Sequence, residues 1–211
     1  MHKDFFYTEF AKLSKFKWDF LNKVEDIEKW QYLAENYEIN FTNSQTKTNL
    51  NKKIPRNIHQ IWIGPKKIPK KYKKWSETWK KYNPTWRYKL WTEKDINILS
   101  QKNKTLFYSI NNIGFRSDIL RYEILYKFGG IYIDTDFECI KKIPEDLRKF
   151  DFVSSIGFDY SPIILNGFLM ASRESNIMKK LLESINVPEF SLDPMSIINS
   201  SGPYELTKTF F

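Results

Sequence analysis

The sequence predicts an α/β fold in which a mixed, mainly parallel sheet lies between helices. Apolar residues recur at three- and four-residue spacing from Phe115 to Tyr126, which predicts a helix, and a β-prone run follows at residues 131–133 after a glycine pair. An earlier β-prone run, at residues 57–63, ends in a Gly-Pro turn. Helix and strand patterns that alternate in this way are typical of an α/β domain.

The first 40 residues predict a helix upstream of this domain. Its apolar positions approximate one stripe: Phe6, Phe10, Leu13, Phe20, Val24 and Ile27. Acidic residues dilute the basic charge of the other face, which favours packing onto the domain, with a membrane-surface helix as the alternative. Residues 42–53 are polar and predict a linker. We therefore expect a helical extension and linker at residues 1–50 and the α/β domain at residues 51–211.

The most basic stretch of the chain, residues 66–82, predicts an amphipathic helix. Its aromatic residues share the spacing of one helical face: Tyr72, Trp75, Trp79 and Tyr82. The lysines then form the solvated side, and nucleic-acid binding is not expected because it needs rings that stay exposed for stacking. Asn83-Pro84 ends this helix, and residues 86–91 predict the second strand.

The rest of the domain continues the alternation of helices and strands. Thr92 and Asp95 predict a capping box that begins a helix to Leu99, and the central helix is predicted to begin near Arg116. Further elements are predicted in this order: a continuation of the central strand at 137–140, a turn into a short helix at 143–146, strands at 151–156 and 163–171, and a helix at 174–185.

Four charged side chains converge on the end of the central strand. Asp134 and Asp136 follow this strand, and in an extended chain they point to the same side of the sheet. Ligands of open α/β sheets bind beyond the carboxyl ends of strands, and two carboxylates there suit Mg²⁺ or Mn²⁺ together with substrate phosphates. Asp118 and Arg121 lie one helical turn apart and present a carboxylate beside a guanidinium. The arrangement predicts a metal-assisted site for a phosphate-bearing ligand.

The run SDILRYEILYKFGGIYIDTD, together with IPRNIHQIWIGP upstream, resembles glycosyltransferase family 32, whose members carry an Asp-X-Asp (DXD) motif. The same residues are more distantly similar to the catalytic domains of the large clostridial glucosylating toxins. The resemblance implies a GT-A-like fold and retaining transfer of a hexose or N-acetylhexosamine from a UDP- or GDP-sugar. The implied acceptor is a hydroxyl of a glycan or lipid-linked glycan, as in capsule or lipopolysaccharide synthesis. Alternatives are a toxin-like transferase that modifies a host protein and a non-catalytic nucleotide- or nucleic-acid-binding protein.

The resemblance also implies roles for individual residues. Asp136 and Asp134 would bind Mn²⁺ or Mg²⁺, Asp118 the sugar hydroxyls, and Arg121 the sugar or the diphosphate. The other implied donor contacts are Trp62, Ser117, Tyr132 and Asn166. The flat apolar face of Trp62 suits stacking on a nucleotide base, with a place in the core as the alternative. For Asn166 the alternative is a bulge or turn residue.

Composition limits the possible classes of protein. The 211 residues suffice for one sizeable α/β domain, and a single cysteine excludes a disulfide framework. His59 and His2 are the only histidines, so His59 is expected to be a hydrogen-bonded structural residue. No bilayer-spanning run or secretory leader is present, so we expect a cytoplasmic protein, with peripheral membrane contact through the N-terminal helix as an alternative. The net charge of +9 favours anionic partners but does not choose between nucleotide sugars, lipids and nucleic acids.

The last part of the chain contains Ser201-Gly202-Pro203, which resembles the family's small-Gly-Pro motif before a helix. In many family members a further segment then contacts the diphosphate and the metal. The resemblance therefore implies that residues 51–211 hold a shortened domain or one that completes its site differently.

Overall fold

A computed structural model describes four parts of the chain: residues 24–41, 53–158, 162–187 and 194–211. Two compact units divide the chain, one of residues 1–48 with 156–163 and Phe211, the other of residues 49–155 with 164–210. The candidate site lies in the second unit. The predicted boundary between residues 1–50 and 51–211 stays a prediction.

The described residues form one mixed sheet of five strands: β1 (Asn57–Ile61), β2 (Arg87–Trp91), β3 (Gly130–Ile133), β4 (Phe152–Phe158) and β5 (Pro162–Ala171). The strands lie side by side in the order β2-β1-β3-β5-β4. β1 is parallel to β2 and β3, whereas β3 is antiparallel to β5. The predicted mixed sheet is confirmed, and its parallel strands bring the carboxyl ends of β1 and β3 to one edge.

The described residues also form seven α-helices: α1 (Val24–Phe41), α2 (Lys70–Tyr82), α3 (Gln101–Ser109), α4 (Ile113–Phe128), α5 (Asn176–Ser184), α6 (Pro194–Ser200) and α7 (Pro203–Phe210). Two 3₁₀ helices lie at Glu93–Ile98 and Glu145–Lys149. Within the described residues, no helix combines the length and the apolar character that a bilayer span requires.

The side chains of β3 divide the core between the two faces of the sheet. Tyr132 packs in the cluster that contains Phe115 and the other buried residues of α4, whereas Ile131 and Ile133 pack in the cluster that contains Trp79 of α2. Because side chains alternate along a strand, the sheet separates α4 from α2. Tyr132 is therefore directed toward α4, the helix that carries Asp118 and Arg121.

Helix α4 is buried more completely than the predicted single stripe. It begins at Ile113, three residues before the predicted start, because the Asn112 side chain caps it by accepting a hydrogen bond of 3.0 Å from the Phe115 backbone. Residues 118–125 are all buried, since α4 contacts the sheet, α3 and α5. A helix enclosed on several sides has no solvated face from which a stripe can be read.

The predicted glycine pair joins α4 to β3. Gly129 has a φ of 58°, and its N–H donates a hydrogen bond of 2.9 Å to the Leu125 carbonyl oxygen. Gly130 has a φ of 116°, and a Cβ atom there would lie 2.5 Å from the Asn57 carbonyl oxygen. Both positions therefore require glycine, the first for the helix end and the second for the close approach of β1.

Several predicted bounds are wrong. The first strand ends at Ile61 because Trp62 and Ile63 leave the sheet, and the predicted strand at 137–140 is absent because the chain turns after Ile133. The helix that the aromatic spacing from Tyr72 to Tyr82 predicted is confirmed, and it begins at Lys70. The Thr92–Asp95 capping interaction is confirmed, with a backbone hydrogen bond of 2.9 Å, but it begins a 3₁₀ helix.

The face that α1 buries differs from the predicted stripe. Val24 and Ile27 are exposed, while Asp26, Trp30 and Leu33 are buried. The earlier members of the stripe, and residues 42–52 of the predicted linker, lie outside the described residues. The helix is therefore confirmed over its described part, but the two described members of the predicted stripe are not on its buried side. The predicted packing of this extension, and its alternative on a membrane, stay predictions.

Candidate active site

Arg121 is the centre of a charged cluster that joins α4 to β3. Its guanidinium forms ion pairs with Asp118 at 3.2 Å and with Asp134 at 3.4 Å. It also donates a hydrogen bond of 2.8 Å to the Asn166 carbonyl oxygen and lies 4.4 Å from the ring centroid of Tyr132. One buried cation thus connects the carboxylate of α4 to the first carboxylate after β3.

The Asp118 carboxylate is buried and receives hydrogen bonds from separate parts of the chain. Oδ1 accepts from Asn166 Nδ2 at 2.9 Å, and Oδ2 accepts from Ser201 Oγ at 2.9 Å. Burial raises the pKa of Asp118 to about 6, while Arg121 and Ser201 act against this rise. The carboxylate is therefore ionised at neutral pH, and it fixes the position of the Arg121 side chain.

Asp134, the first residue after β3, is held from three directions. Its Oδ1 accepts a hydrogen bond of 2.6 Å from the Tyr132 hydroxyl, and its backbone N–H donates one of 2.9 Å to the Gly167 carbonyl. Its own carbonyl accepts one of 3.1 Å from Gln60. Burial raises the pKa of Tyr132 well above its usual value, so this hydroxyl stays protonated as a donor. The carboxylate of Asp134 is thus fixed before any ligand arrives.

Asp136 lies in a turn, and the prediction that an extended chain aligns it with Asp134 is wrong. The turn is closed by a hydrogen bond of 3.2 Å from the Phe137 backbone N–H to the Asp134 carbonyl. The Asp136 side chain is exposed and has neither an ion pair nor a hydrogen bond within the described residues. Glu138, two residues further on, is also exposed.

The arrangement fits a divalent cation that is shared with a substrate. The carboxylates of Asp118 and Asp134 both contact Arg121, whereas the exposed carboxylate of Asp136 lies in the turn after β3 and lines the same cavity as Asp134. No group of three His, Cys, Asp or Glu side chains in the described part of the chain is arranged to hold a metal by itself. Mg²⁺ and Mn²⁺ at nucleotide sites usually take one or two carboxylates and complete their shell with phosphate oxygens and water. Asp134 and Asp136 match that requirement.

A cavity of about 430 Å³ opens beside the carboxylates, a size typical of ligand pockets. Six of the eight predicted site residues line it: Trp62, Ser117, Arg121, Tyr132, Asp134 and Asp136. The structure therefore brings together residues from the end of β1, from α4 and from the β3 turn.

Trp62 lies just beyond β1 and outside the buried core clusters. It is half-buried, its Nε1 donates a hydrogen bond of 2.7 Å to the Lys66 carbonyl, and its ring meets Tyr72 edge-on at 6.1 Å. Trp62 lines the cavity and is therefore placed beside the expected donor site. Stacking of its ring on a nucleotide base stays a prediction.

Asp118 and Asn166, the other two predicted residues, do not line the cavity. Both are buried next to Arg121, and Asn166 lies within β5 rather than at a turn. The structure thus gives them contacts that support Arg121. Their direct contact with a donor sugar stays a prediction.

Four contributing residues were not predicted as part of the site. Ser201 binds Asp118, the Tyr122 hydroxyl donates to the Ser201 carbonyl at 2.8 Å and accepts from Asn166 at 2.9 Å, and Gln60 and Gly167 contact Asp134. Tyr122 had the apolar spacing of a core residue. Of these four residues, only Ser201 could have been found from the sequence, because it belongs to the Ser-Gly-Pro run that resembles the family's small-Gly-Pro motif.

The fold is that of the GT-A glycosyltransferases. The structure of the PaToxG glycosyltransferase aligns with 89% of this chain and 79% of its own, at 20% identity and a TM-score of 0.62. The catalytic domain of alpha-toxin from Clostridium novyi aligns with 86% of this chain and 65% of its own, at 14% identity and a TM-score of 0.55. These similarities confirm the predicted fold.

Within this class, residues 69–154 match the model of the family described as "Glycosyltransferase sugar-binding region containing DXD motif". These residues are similar to the sugar-binding region of that family, which agrees with the resemblance seen in the sequence. The match includes Asp118, Arg121 and the Asp134–Asp136 turn.

Three curated relatives are similar over parts of the chain. Inositol phosphoceramide mannosyltransferase 1 of Schizosaccharomyces pombe is 34% identical over 48% of this chain and 34% of its own length. A mannosyl phosphorylinositol ceramide synthase of Saccharomyces cerevisiae is 28% identical over 73% of this chain and 41% of its own length. Subversion of eukaryotic traffic protein A of Legionella pneumophila is 25% identical over 74% and 28%. The chain thus spans well under half of each relative.

Proposed function

We propose that this protein transfers a hexose from a nucleotide-diphosphate sugar to a hydroxyl group, in a metal-dependent reaction that retains the anomeric configuration. The observation that carries the proposal is the pairing of a fixed carboxylate, Asp134, with an unpaired one, Asp136, at the mouth of a ligand-sized cavity. Two carboxylates in this position suit a cation that also contacts a diphosphate.

Mannose is the hexose that the relatives favour. The names of the two yeast proteins specify mannose transfer and a phosphoinositol-ceramide lipid. We therefore propose mannose as the first sugar to test and a lipid-linked acceptor ahead of the glycan acceptors of capsule or lipopolysaccharide synthesis. The donor nucleotide would be UDP or GDP, and both belong in the same screen.

The chain's own residues would act by positioning and by electrostatics. Asp134 and Asp136 would hold a Mn²⁺ or Mg²⁺ ion, which when bound neutralises the charge of the departing diphosphate. Arg121 directs a guanidinium to the cavity, and because Asp118 and Tyr132 already fix it, little reorganisation accompanies donor binding. Trp62 would stack on the base, and Ser117 would contact the donor from the first turns of α4.

The test is release of nucleotide diphosphate from UDP- and GDP-hexoses, with and without Mn²⁺, by the parent protein and by Asp136→Asn. We expect the variant to lose the metal-dependent part of turnover, by about a hundredfold or more, because one carboxylate ligand is removed. Glu138→Gln is the matched control, since Glu138 is an equally exposed acid two residues further on. Equal metal dependence in all three proteins would contradict the proposed metal site.

A further inference from the structure

The positive charge of the protein is concentrated on one exposed segment. Residues 66–82 contain eight lysines and one glutamate, so this segment carries +7 of the net charge of +9. All eight lysines are exposed. Six of them belong to α2 and form what we call the lysine face: Lys70, Lys71, Lys73, Lys74, Lys80 and Lys81. The rest of the chain is close to neutral, so this face dominates the attraction of anionic partners.

The lysine face is not neutralised by nearby acids. Among the described residues, Lys80 alone of the six has an acidic partner, Glu77 at 2.7 Å. The opposite side of α2 is fixed by the buried Ser76 and Trp79. A helix of 13 residues is about 20 Å long, so the lysines cover an extended, convex surface rather than a pocket.

We propose that the lysine face docks this protein on the anionic surface of a lipid bilayer. Clusters of four to eight lysines bind anionic bilayers through diffuse electrostatic attraction, which requires no fixed geometry. The segment contains no arginine, the residue that provides bidentate recognition of individual phosphates.

The aromatic residues of α2 argue against a nucleic acid as the partner. Tyr72 stacks on Trp75 at 5.5 Å, and Trp79 is buried in the core. Tyr82 alone of the four rings is exposed, so single-stranded nucleic acid would find few stacking contacts on this helix beyond its electrostatic attraction.

The basic segment also contributes two residues to the candidate active site. Lys66 and Tyr72 line the cavity beside Asp134 and Asp136, and neither belongs to the lysine face. The docking itself does not depend on sugar transfer, and it is measured without a donor.

The experiment is co-sedimentation of the full chain with vesicles of phosphatidylcholine alone or mixed with phosphatidylserine. The test variant is Lys70→Glu/Lys73→Glu/Lys74→Glu, whose three side chains have no ion pair or ring contact in the described structure. The control is Lys179→Glu/Lys180→Glu/Lys208→Glu, which makes the same change in net charge on exposed positions of α5 and α7. We expect the parent and the control to bind the mixed vesicles at least about tenfold more strongly than the test variant, and binding to fall at high salt.

Three results would overturn the proposal. One is equal vesicle binding by the test variant and the parent. Another is an equal loss of binding in the test and control variants, which would indicate that binding depends on net charge and not on the lysine face. The third is binding of a random DNA duplex that is tighter than vesicle binding at the same salt concentration. Circular dichroism and nucleotide binding of the test variant, expected to match those of the parent, distinguish a lost surface from a lost fold.

Discussion

Helices α4 and α2 lie on opposite faces of the same sheet, and they differ in whether their charged side chains are buried or exposed. α4 buries Asp118 and Arg121, each 6% exposed, whereas α2 exposes all six of its lysines. A buried charge is costly unless it is paired and hydrogen-bonded, and both buried groups of α4 meet that condition. The charges of α4 therefore hold one geometry in place, while those of α2 create a field that acts at a distance.

The largest effect should follow from removing the cation of α4. Arg121→Met leaves the carboxylates of Asp118 and Asp134 without their shared partner, so the free energy of unfolding should fall by about 3–5 kcal/mol. Urea titration followed by circular dichroism measures this loss. Arg173→Met, at an exposed arginine, is the control and should change stability by less than about 0.5 kcal/mol. Similar losses in both variants would remove the distinction between buried and exposed charge.

A second effect concerns pH and the buried histidine beside α4. His59 Nδ1 accepts a hydrogen bond from Trp91 at 3.1 Å, its Nε2 lies 3.0 Å from the Gly129 carbonyl oxygen, and burial lowers the pKa of His59 to about 4. This satisfies the prediction of a structural histidine. Because the unfolded chain binds the proton more readily, the stability due to neutral His59 is complete above pH 6.5 and declines as the pH falls to about 4.

The His59 effect is measured as a difference between two proteins. The raised pKa of Asp118 acts in the opposite direction over part of this range, so the pH curve of the parent alone combines both groups. The parent and His59→Gln share Asp118, and their difference in unfolding free energy should rise by about 3 kcal/mol from pH 4 to pH 6.5. Parallel curves would contradict a depressed histidine pKa.

A third, smaller effect tests the packing of Asp134. A Cβ atom at Gly167 would lie 2.7 Å from Asp134 Oδ2, so Gly167→Ala should displace the carboxylate and cost about 1–3 kcal/mol of stability. In an Asp134→Ala background the same change should cost much less, because the clashing atom is absent. Unfolding of the four proteins of this double-mutant cycle measures the coupling between the two positions. Additive losses would show that Gly167 does not hold Asp134.

The smallest effect should come from α2. Lys70→Gln/Lys73→Gln/Lys74→Gln should change the free energy of unfolding by less than about 0.5 kcal/mol per site, since exposed side chains without specific contacts contribute little. Urea titration of this variant and of Arg121→Met under the same conditions compares the contributions of the two helices to the free energy of unfolding. A loss of several kcal/mol from the lysine variant would mean that the lysine face has a structural role, and the contrast with α4 would fail.

Local spacing was sufficient to predict much of the central region. Asp118 and Arg121 are one helical turn apart in the sequence, and the structure pairs them at 3.2 Å. The glycine pair at 129–130 ends α4 and begins β3 as predicted. Such features depend on helix geometry and on backbone freedom within a few residues, and both are encoded by the sequence alone.

The sequence by itself therefore determined the α/β fold, the position of two aspartates directly after β3 and the pairing within α4. Only the tertiary structure decided that Ser201 and Asn166 would reach Asp118, because the hydrogen bonds that join them span 83 and 48 residues. It also decided that Asp136 lies in a turn and that α1 buries Trp30 rather than Val24. These outcomes depend on which surfaces meet after folding, and spacing along one element carries no information about the element on the other side.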